Sequence, residues 1–163
     1  MTSVTDLYQA VILDHNRAPR GEGVVGDATN CAEGFNPICG DRINLTIKLN
    51  DAQITNVGFT AQSCALCRAS ASVLAQTIHA TSLEQAIEMG HAFQAMLTGG
   101  EWNYGGDAAV FAAIKRYPAR AKCVALPWRT LVTALTSGRV IDSSLDRNSA
   151  THPVVSTEDS KRG

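Results

Sequence analysis

The spacing of apolar residues predicts one helix followed by a pair of strands. Apolar residues recur at helical spacing from Asp6 to Asn16, and Pro19 prevents the helix from continuing. After a Gly-rich stretch with room for one short strand, residues 43–49 alternate strictly between apolar and polar. A turn follows, and residues 54–59 again place apolar side chains on one face. These residues predict an antiparallel hairpin.

The rest of the chain changes to helical periodicity and predicts four further helices. Ser63 is a candidate N-cap for the first of them, which would place Cys64 at a helix N-terminus. Residues 81–84 form a capping box before the second helix, and a third, short helix must end before Pro118. The last helix contains Pro127, which has no N–H group, so this helix is expected to begin a few residues earlier, near Cys123.

Strands that precede helices, rather than alternating with them, are typical of the α+β class. We therefore predict a small antiparallel sheet of two to three strands packed on about five helices. The chain has 163 residues, of which 45% are hydrophobic and 18% charged, as expected for one compact domain, which we assign to residues 1–138. Residues 139–163 are polar, lack periodicity and predict a disordered tail.

The charge balance limits the kinds of partner. A net charge of -1 gives no electrostatic reason to expect binding to nucleic acid or to an anionic membrane. The first residues lack the basic and then apolar pattern of a signal peptide, and no later apolar run is long enough to span a bilayer, so a cytoplasmic location is expected. In a reducing cytosol, the five cysteines favour metal binding or thiol chemistry over disulfides.

The segment Cys39-Gly-Asp41 is the first candidate for chemistry. A thiolate and a carboxylate two residues apart in a tight loop can turn toward one ion, and zinc accepts both sulfur and oxygen ligands, usually four in all. Cys64 and Cys123 lie near predicted helix starts, where the helix dipole favours a thiolate. Cys39, Asp41, Cys64 and Cys123 are therefore the candidate ligands.

Other interpretations remain open at this point. The spacing differs from the C-x-x-C pairs of zinc fingers, and cysteines are often simply core residues. Asp41 also fits a turn residue that bonds its own backbone. Cys67 lies on the apolar stripe of its predicted helix, yet with Cys64 it forms a C-x-x-C and could compete as a ligand or resolve a persulfide. The histidines are poor ligand candidates, and His15 is interpreted as a cation suited to the end of the first helix.

Four ordered segments resemble the SufU-type branch of the IscU/NifU N-terminal family, which is involved in iron–sulfur cluster assembly. They are residues 7–15, 36–42, 64–72 and 117–128, and the resemblance runs in order from about residue 5 to 137. It implies a SufU/IscU-like fold in which the three cysteines at 39, 64 and 123, with the aspartate at 41, bind metal.

The position before the last of these cysteines separates two branches of the family. The scaffold branch has a histidine there, whereas this chain has Lys122, and residues 101–120 look like the extra segment of the SufU branch. This resemblance implies a sulfurtransferase that depends on a bound Zn2+ ion. Its partner would be a pyridoxal-phosphate cysteine desulfurase of the SufS type, from which it accepts persulfide sulfur. Cys39 would be the acceptor, and Arg120 would stabilise thiolate charge unless it is an ordinary surface arginine.

Two rival functions use the same residues. One is a non-enzymatic scaffold that assembles a transient Fe–S cluster and passes it to the downstream Fe–S assembly machinery, because thiolates also hold [2Fe–2S] clusters. The other is a structural zinc domain that mediates protein contacts. The C-x-x-C formed by Cys64 and Cys67 keeps cluster ligation open.

Overall fold

The computed structural model describes residues 3–136, 139–140 and 154–156. Five helices and a small sheet make up this part of the chain, which confirms the predicted α+β class. The helices are α1 (Val4–Arg17), α2 (Ala65–Ile78), α3 (Leu83–Met96), a 3₁₀ helix (Asp107–Arg116) and α4 (Pro118–Thr136). The strands are β1 (Asn30–Asn36), β2 (Asp41–Asn50), β3 (Gln53–Gln62), β4 (Arg139–Val140) and β5 (Val154–Ser156).

Strands β1, β2 and β3 form an antiparallel meander, as predicted for the hairpin and the uncertain strand before it. Along β2 the residues alternate between buried and exposed until Thr46, which is the period of a strand with one face against the core. β1 ends at Asn36, β2 begins at Asp41, and the register pairs these two residues. The β1–β2 connection is therefore a four-residue loop that carries Cys39.

The covered face of the sheet packs against α4, which also contacts α2 and α3. Trp128 of α4 is fully buried, and its ring stacks on Phe93 with centroids 4.2 Å apart. Gly34 of β1 allows the helix to approach, because a Cβ atom there would overlap the Thr130 hydroxyl. This close approach brings α4 over the end of β1 that leads into the Cys39 loop.

Several predicted helix boundaries were wrong by a few residues. The N-cap of α2 is Cys64 rather than Ser63, and that of α3 is Ser82, whose hydroxyl accepts the Gln85 N–H group. α4 begins at Pro118 rather than near Cys123, because proline is well suited to the first helical position. Pro127 consequently lies buried in the middle of the helix, at a position where proline cannot donate the usual backbone hydrogen bond.

Two short strands fall within residues 139–163, for which the predicted disorder stays a prediction. β4 pairs antiparallel with β1 through Asn30 and Cys31, and β5 pairs parallel with β1 through residues 33–35. The remaining residues of 139–163 lie outside the described part of the chain, so the domain boundary at 138 stays a prediction. No helix in the described ranges combines the length and apolarity needed to cross a membrane.

Candidate metal centre

The β1–β2 loop positions two of the candidate ligands by its backbone geometry. The Gly40 N–H group donates to the Asn36 carbonyl over 2.8 Å, and Gly40 has a φ of 72°, a conformation that residues with a Cβ atom rarely adopt. The resulting tight turn leaves Cys39 exposed while Asp41 is buried, with only 1% of its surface accessible. One of the two ligand candidates therefore faces solvent and the other faces the protein.

The Asp41 carboxylate reaches the N-terminus of α2. Its Oδ1 atom accepts the Cys64 N–H group over 2.8 Å, and its Oδ2 atom lies 3.8 Å from Cys64 Sγ. Cys64 is the N-cap residue and makes no capping bond with its own side chain, so Asp41 supplies the cap from a neighbouring strand. The alternative, in which the Asp41 side chain bonds the backbone of its own turn, is therefore not observed.

Cys123 approaches the loop from α4. Its side chain is 1% exposed, and its Sγ atom lies 3.4 Å from Cys39 Sγ. The sulfur atoms of Cys39 and Cys123 and one carboxylate oxygen of Asp41 all lie within 4.8 Å of one another. Cys64 is not part of that group, but it contacts Asp41, so the structure brings three of the four predicted residues together and places the fourth beside Asp41.

The position of Cys123 on its helix differs from the sequence expectation. It lies in the second turn of α4 instead of at the N-terminus, so it does not receive the predicted benefit of the helix dipole. Burial raises the pKa of the Cys123 thiol, and hydrogen bonds to Cys39 and Asp41 raise it further. A cation at the site would oppose each of these causes.

Comparison with known proteins identifies the family. Residues 7–124 match the model of the NifU-like N-terminal domain. The chain belongs to this family. It is 37% identical over 128 residues to the zinc-dependent sulfurtransferase SufU of Bacillus subtilis (strain 168), an alignment that covers 77% of this chain and 86% of that protein. It is 29% identical over 151 residues to the iron–sulfur cluster assembly scaffold protein IscU of Streptococcus pyogenes serotype M1, covering 91% and 94% of the two chains.

Solved structures of the NifU-like N-terminal family have the same fold. A protein of Fervidobacterium islandicum AW-1, described as an iron–sulfur cluster assembly scaffold for the SUF system, superposes with a TM-score of 0.75 at 32% identity. That match covers 80% of this chain and 97% of the other. A NifU-like N-terminal protein of Brucella abortus has a TM-score of 0.72 at 22% identity, covering 82% and 95%, and supports the fold alone. The predicted SufU/IscU-like architecture is confirmed.

Asn36 is a residue of the centre whose role the sequence did not indicate. Its side chain is 1% exposed; the Nδ2 group donates to Cys123 Sγ over 3.7 Å, and Oδ1 accepts the Ile38 N–H group over 3.2 Å. Its place at the start of the Asn-Pro-Ile-Cys-Gly-Asp segment was visible in the sequence. The contact with Cys123, which is 87 residues away, was not.

Two further residues, Arg120 and Tyr8, can be related to the candidate ligands. Arg120 is exposed and lies three residues before Cys123 on α4, so the two residues share one side of the helix. Tyr8 of α1 is half-buried; burial raises its pKa, the nearby Arg120 charge opposes that change, and Cys64 adds to it. Tyr8 therefore lies within electrostatic range of both residues, and its position in the 7–15 segment was the only sequence signal for it.

Three further residues lie in the core instead of in the cluster of ligands. Cys31 is 3% exposed, and Cys67 is fully buried in the hydrophobic core, as its place on the apolar stripe predicts. Burial raises the pKa of the Cys67 thiol, with a smaller contribution from Asp41. His15 lies in the last turn of α1, as the sequence predicted. Its ring is fully buried, with Nδ1 2.6 Å from Ser72 Oγ and Nε2 2.8 Å from Asp107 Oδ2.

Proposed function

We propose that this protein is a zinc-dependent sulfurtransferase of iron–sulfur cluster assembly, in which Cys39 accepts persulfide sulfur from a cysteine desulfurase. The observation that carries the proposal is the asymmetry of the thiol pair: Cys39 is exposed on a loop, and its sulfur lies 3.4 Å from that of the buried Cys123. One thiol can meet a partner protein while the other remains inside.

The donor set fits a zinc ion. Asp41 is a buried carboxylate, and no lysine, arginine or histidine in the described part of the chain forms an ion pair with it. Buried charges are normally paired or bound to a metal. Cys39, Asp41, Cys64 and Cys123 would hold the ion, with one oxygen and three sulfur ligands. When bound, zinc keeps the cysteine ligands in the thiolate form at neutral pH.

The transfer step uses the exposed position of Cys39. Its thiolate attacks the outer sulfur of the desulfurase persulfide, R–S–SH. A new S–S bond forms on Cys39, the S–S bond of the desulfurase breaks, and the electron pair leaves with the desulfurase thiolate. The products are a Cys39 persulfide and the free desulfurase cysteine, so no external oxidant or reductant is needed.

The surroundings of Cys39 support an encounter with a partner of this kind. Arg120 is exposed on the same side of α4 as Cys123, where its guanidinium would stabilise the negative charge of the attacking and leaving thiolates. We assign the donor to a pyridoxal-phosphate desulfurase of the SufS type, and the recipient of the sulfur to the downstream Fe–S assembly machinery. The similarity to the SufU protein of Bacillus subtilis supports this assignment.

The decisive experiment compares Cys39→Ser with Cys31→Ser. Both remove one thiol, but Cys31 is buried in β1 away from the loop. We expect the Cys39 variant to lose stimulation of a desulfurase and to take up no sulfur from it, with peptide mass spectrometry locating the persulfide on Cys39 in the wild type. The Cys31 variant should behave like the wild type. Full stimulation by Cys39→Ser would contradict the acceptor role.

The second candidate is a scaffold for [2Fe–2S] cluster assembly. It is favoured by the similarity to the IscU scaffold protein of Streptococcus pyogenes and by a thiolate-rich donor set that suits iron as well as zinc. Metal analysis of protein purified without air separates the two functions. One tightly bound zinc and no visible absorption would support sulfur transfer, whereas a brown protein with iron and sulfide would support the scaffold.

A further inference from the structure

The Asn36 side chain contacts both Cys123 on α4 and the loop that carries Cys39. Asn36 is neither a proposed metal ligand nor the proposed sulfur acceptor, so its role is still to be explained. It is the last residue of β1 and pairs in register with Asp41. Its side chain is almost completely buried at the point where the Cys39 loop meets α4. A buried amide must place each of its polar atoms against a partner, so its contacts are informative about its role.

The orientation of the Asn36 amide follows from its partners. The Ile38 N–H group is a donor 3.2 Å away, so the oxygen of the amide must face it. The NH2 group then faces Cys123 Sγ, 3.7 Å away. A single side chain thus shapes the loop with its oxygen and donates to a ligand sulfur with its nitrogen.

The same contact makes the two neighbouring thiols unequal. Cys123 is buried and receives the Asn36 N–H group, whereas Cys39 is exposed. No N–H group in the described part of the chain donates to Cys39 Sγ. When zinc is bound and Cys123 is ionised, the Asn36 N–H group would donate to a charged acceptor, and such hydrogen bonds are stronger than those between neutral groups. Residues that hydrogen-bond to a metal ligand typically change metal affinity 10- to 100-fold when they are altered.

We infer that Asn36 is a positioning residue whose amide anchors Cys123 in the metal centre, so that Cys39 is the thiol released to react. This inference rests on the proposed function and deepens it. It assigns the choice of acceptor to a specific contact, in addition to the exposure of Cys39. Sulfur transfer then leaves Cys123 in place and keeps the centre assembled.

The test uses Asn36→Asp, which keeps the oxygen for Ile38 and replaces the donor nitrogen by an oxygen. Asn56→Asp is the matched control: the Asn56 side chain also accepts a backbone N–H group with Oδ1, and it pairs with Lys48, about 20 Å along the sheet from the Arg42–Gln62 pair at the centre. Asn36→Ala, which lacks both polar atoms, is the second variant in case the buried aspartate impairs folding.

Zinc-loaded proteins are treated with iodoacetamide, and mass spectrometry follows each cysteine with time. The readout is the alkylation rate of Cys123 divided by that of Cys31, because the buried Cys31 reports general opening of the fold. We expect this ratio to rise at least about tenfold in both Asn36 variants, with zinc affinity falling by a similar factor. Asn56→Asp should stay within about twofold of the wild type by the same scale.

The possible outcomes distinguish a failure of the proposed Asn36 role from a failure of the proposed function. An unchanged ratio in Asn36→Asp, with zinc bound as in the wild type, would overturn the role of the amide and leave the zinc centre standing. A ratio that rises only in Asn36→Ala would also overturn it, because the shape of the loop would then be the cause. A wild-type protein that binds no zinc would instead overturn the proposed function, and this inference with it.

Discussion

Two polar clusters contact α2, one at its N-terminus and one at Ser72 in the middle of the helix, and they differ in how their hydrogen-bonding groups are satisfied. In the metal centre, the Asp41 carboxylate bonds the Cys64 N–H group but has no cationic partner among the described residues. In the second cluster, His15 lies between Ser72 and Asp107, and the Arg20 N–H group donates to the same serine oxygen. Both ring nitrogens of His15 therefore have hydrogen-bond partners within the chain.

This difference is the one that we expect between a site that binds a cation and a structural junction. The histidine cluster is complete within the chain and joins α1, α2 and the 3₁₀ helix, so it has no need of an external ion. The candidate metal centre places the buried Asp41 carboxylate beside the Cys123 thiol, whose pKa is raised by burial and by its hydrogen bonds to Cys39 and Asp41, so a cation would be favourable there. Zinc should therefore raise the free energy of unfolding through the candidate metal centre. The contribution of the histidine cluster should be the same with and without zinc.

The largest expected effect is stabilisation by zinc. At a free zinc concentration 1,000 times the dissociation constant, binding to the folded state adds about 4 kcal/mol to the free energy of unfolding. For a domain of this size, this corresponds to a rise of roughly 8 to 16 °C in melting temperature. Calorimetry with zinc and with a chelator measures the shift. Cys123→Ala should reduce it to less than about 3 °C on the same scale.

Cys31→Ala is the control for that experiment, because it also removes a buried thiol from the described core. It should lower the melting temperature with and without metal while keeping the shift caused by zinc. If Cys123→Ala kept the full shift, Cys123 would not be a ligand. The proposed difference between a zinc-dependent cluster and a zinc-independent cluster would then be unsupported.

Breaking the second cluster should destabilise the protein regardless of zinc. His15→Ala leaves a cavity and removes the partners of Ser72 and Asp107, so we expect a loss of about 3 kcal/mol in the free energy of unfolding. Urea denaturation with and without zinc measures it. His91→Ala is the matched control, since His91 is exposed on α3, and it should change stability by less than about 0.5 kcal/mol. A loss seen only in the presence of zinc would contradict the division into two independent clusters.

Local patterns in the sequence predicted the elements better than the contacts between them. The strict alternation along β2 and the change of period after Ser63 gave the hairpin and the position of Cys64 at a helix N-terminus. These features depend on neighbouring residues, which share a face at a period of 2 or 3.6. The start of α4 was misplaced because Pro127 was assumed to require a nearby helix start, whereas Pro118 takes that position.

The partners of the buried polar groups could not be predicted from spacing. His15 meets residues 57 and 92 positions away, and Asn36 meets Cys123 87 positions away. Such contacts depend on how α4 and the 3₁₀ helix pack, which no short motif encodes. Spacing and predicted helix starts suggested the four candidate ligands, and the family resemblance made the set specific. The structure then placed three of them in one group, with Cys64 beside Asp41. Their role as ligands remains a prediction.

A substitution of Cys67 tests whether this residue belongs to the hydrophobic core or to the metal ligands. Its thiol is fully buried, so Cys67→Ala should cost about 1 kcal/mol through the cavity it leaves. The zinc-induced shift should be retained; its loss would mean that Cys67 is a ligand. Because burial raises the pKa of this thiol, its contribution to stability is present below the ordinary thiol pKa and is lost as the pH rises above about 9. Denaturation at pH 8 and pH 10 should therefore show a smaller alkaline loss in Cys67→Ala than in the wild type.

The smallest effect concerns the backbone of the loop. Gly40 and Gly105 have φ values of 72° and 66°, and a Cβ atom at either position would contact nothing within 4 Å. Alanine at each should therefore cost about 1 kcal/mol through backbone strain alone. Only Gly40 lies between two candidate ligands, Cys39 and Asp41, so only Gly40→Ala should also weaken zinc binding in a competition assay. Equal zinc affinity in the two variants would show that the centre tolerates a changed loop. The rigid positions of Asp41 and Cys123 would then matter more than the turn that carries Cys39.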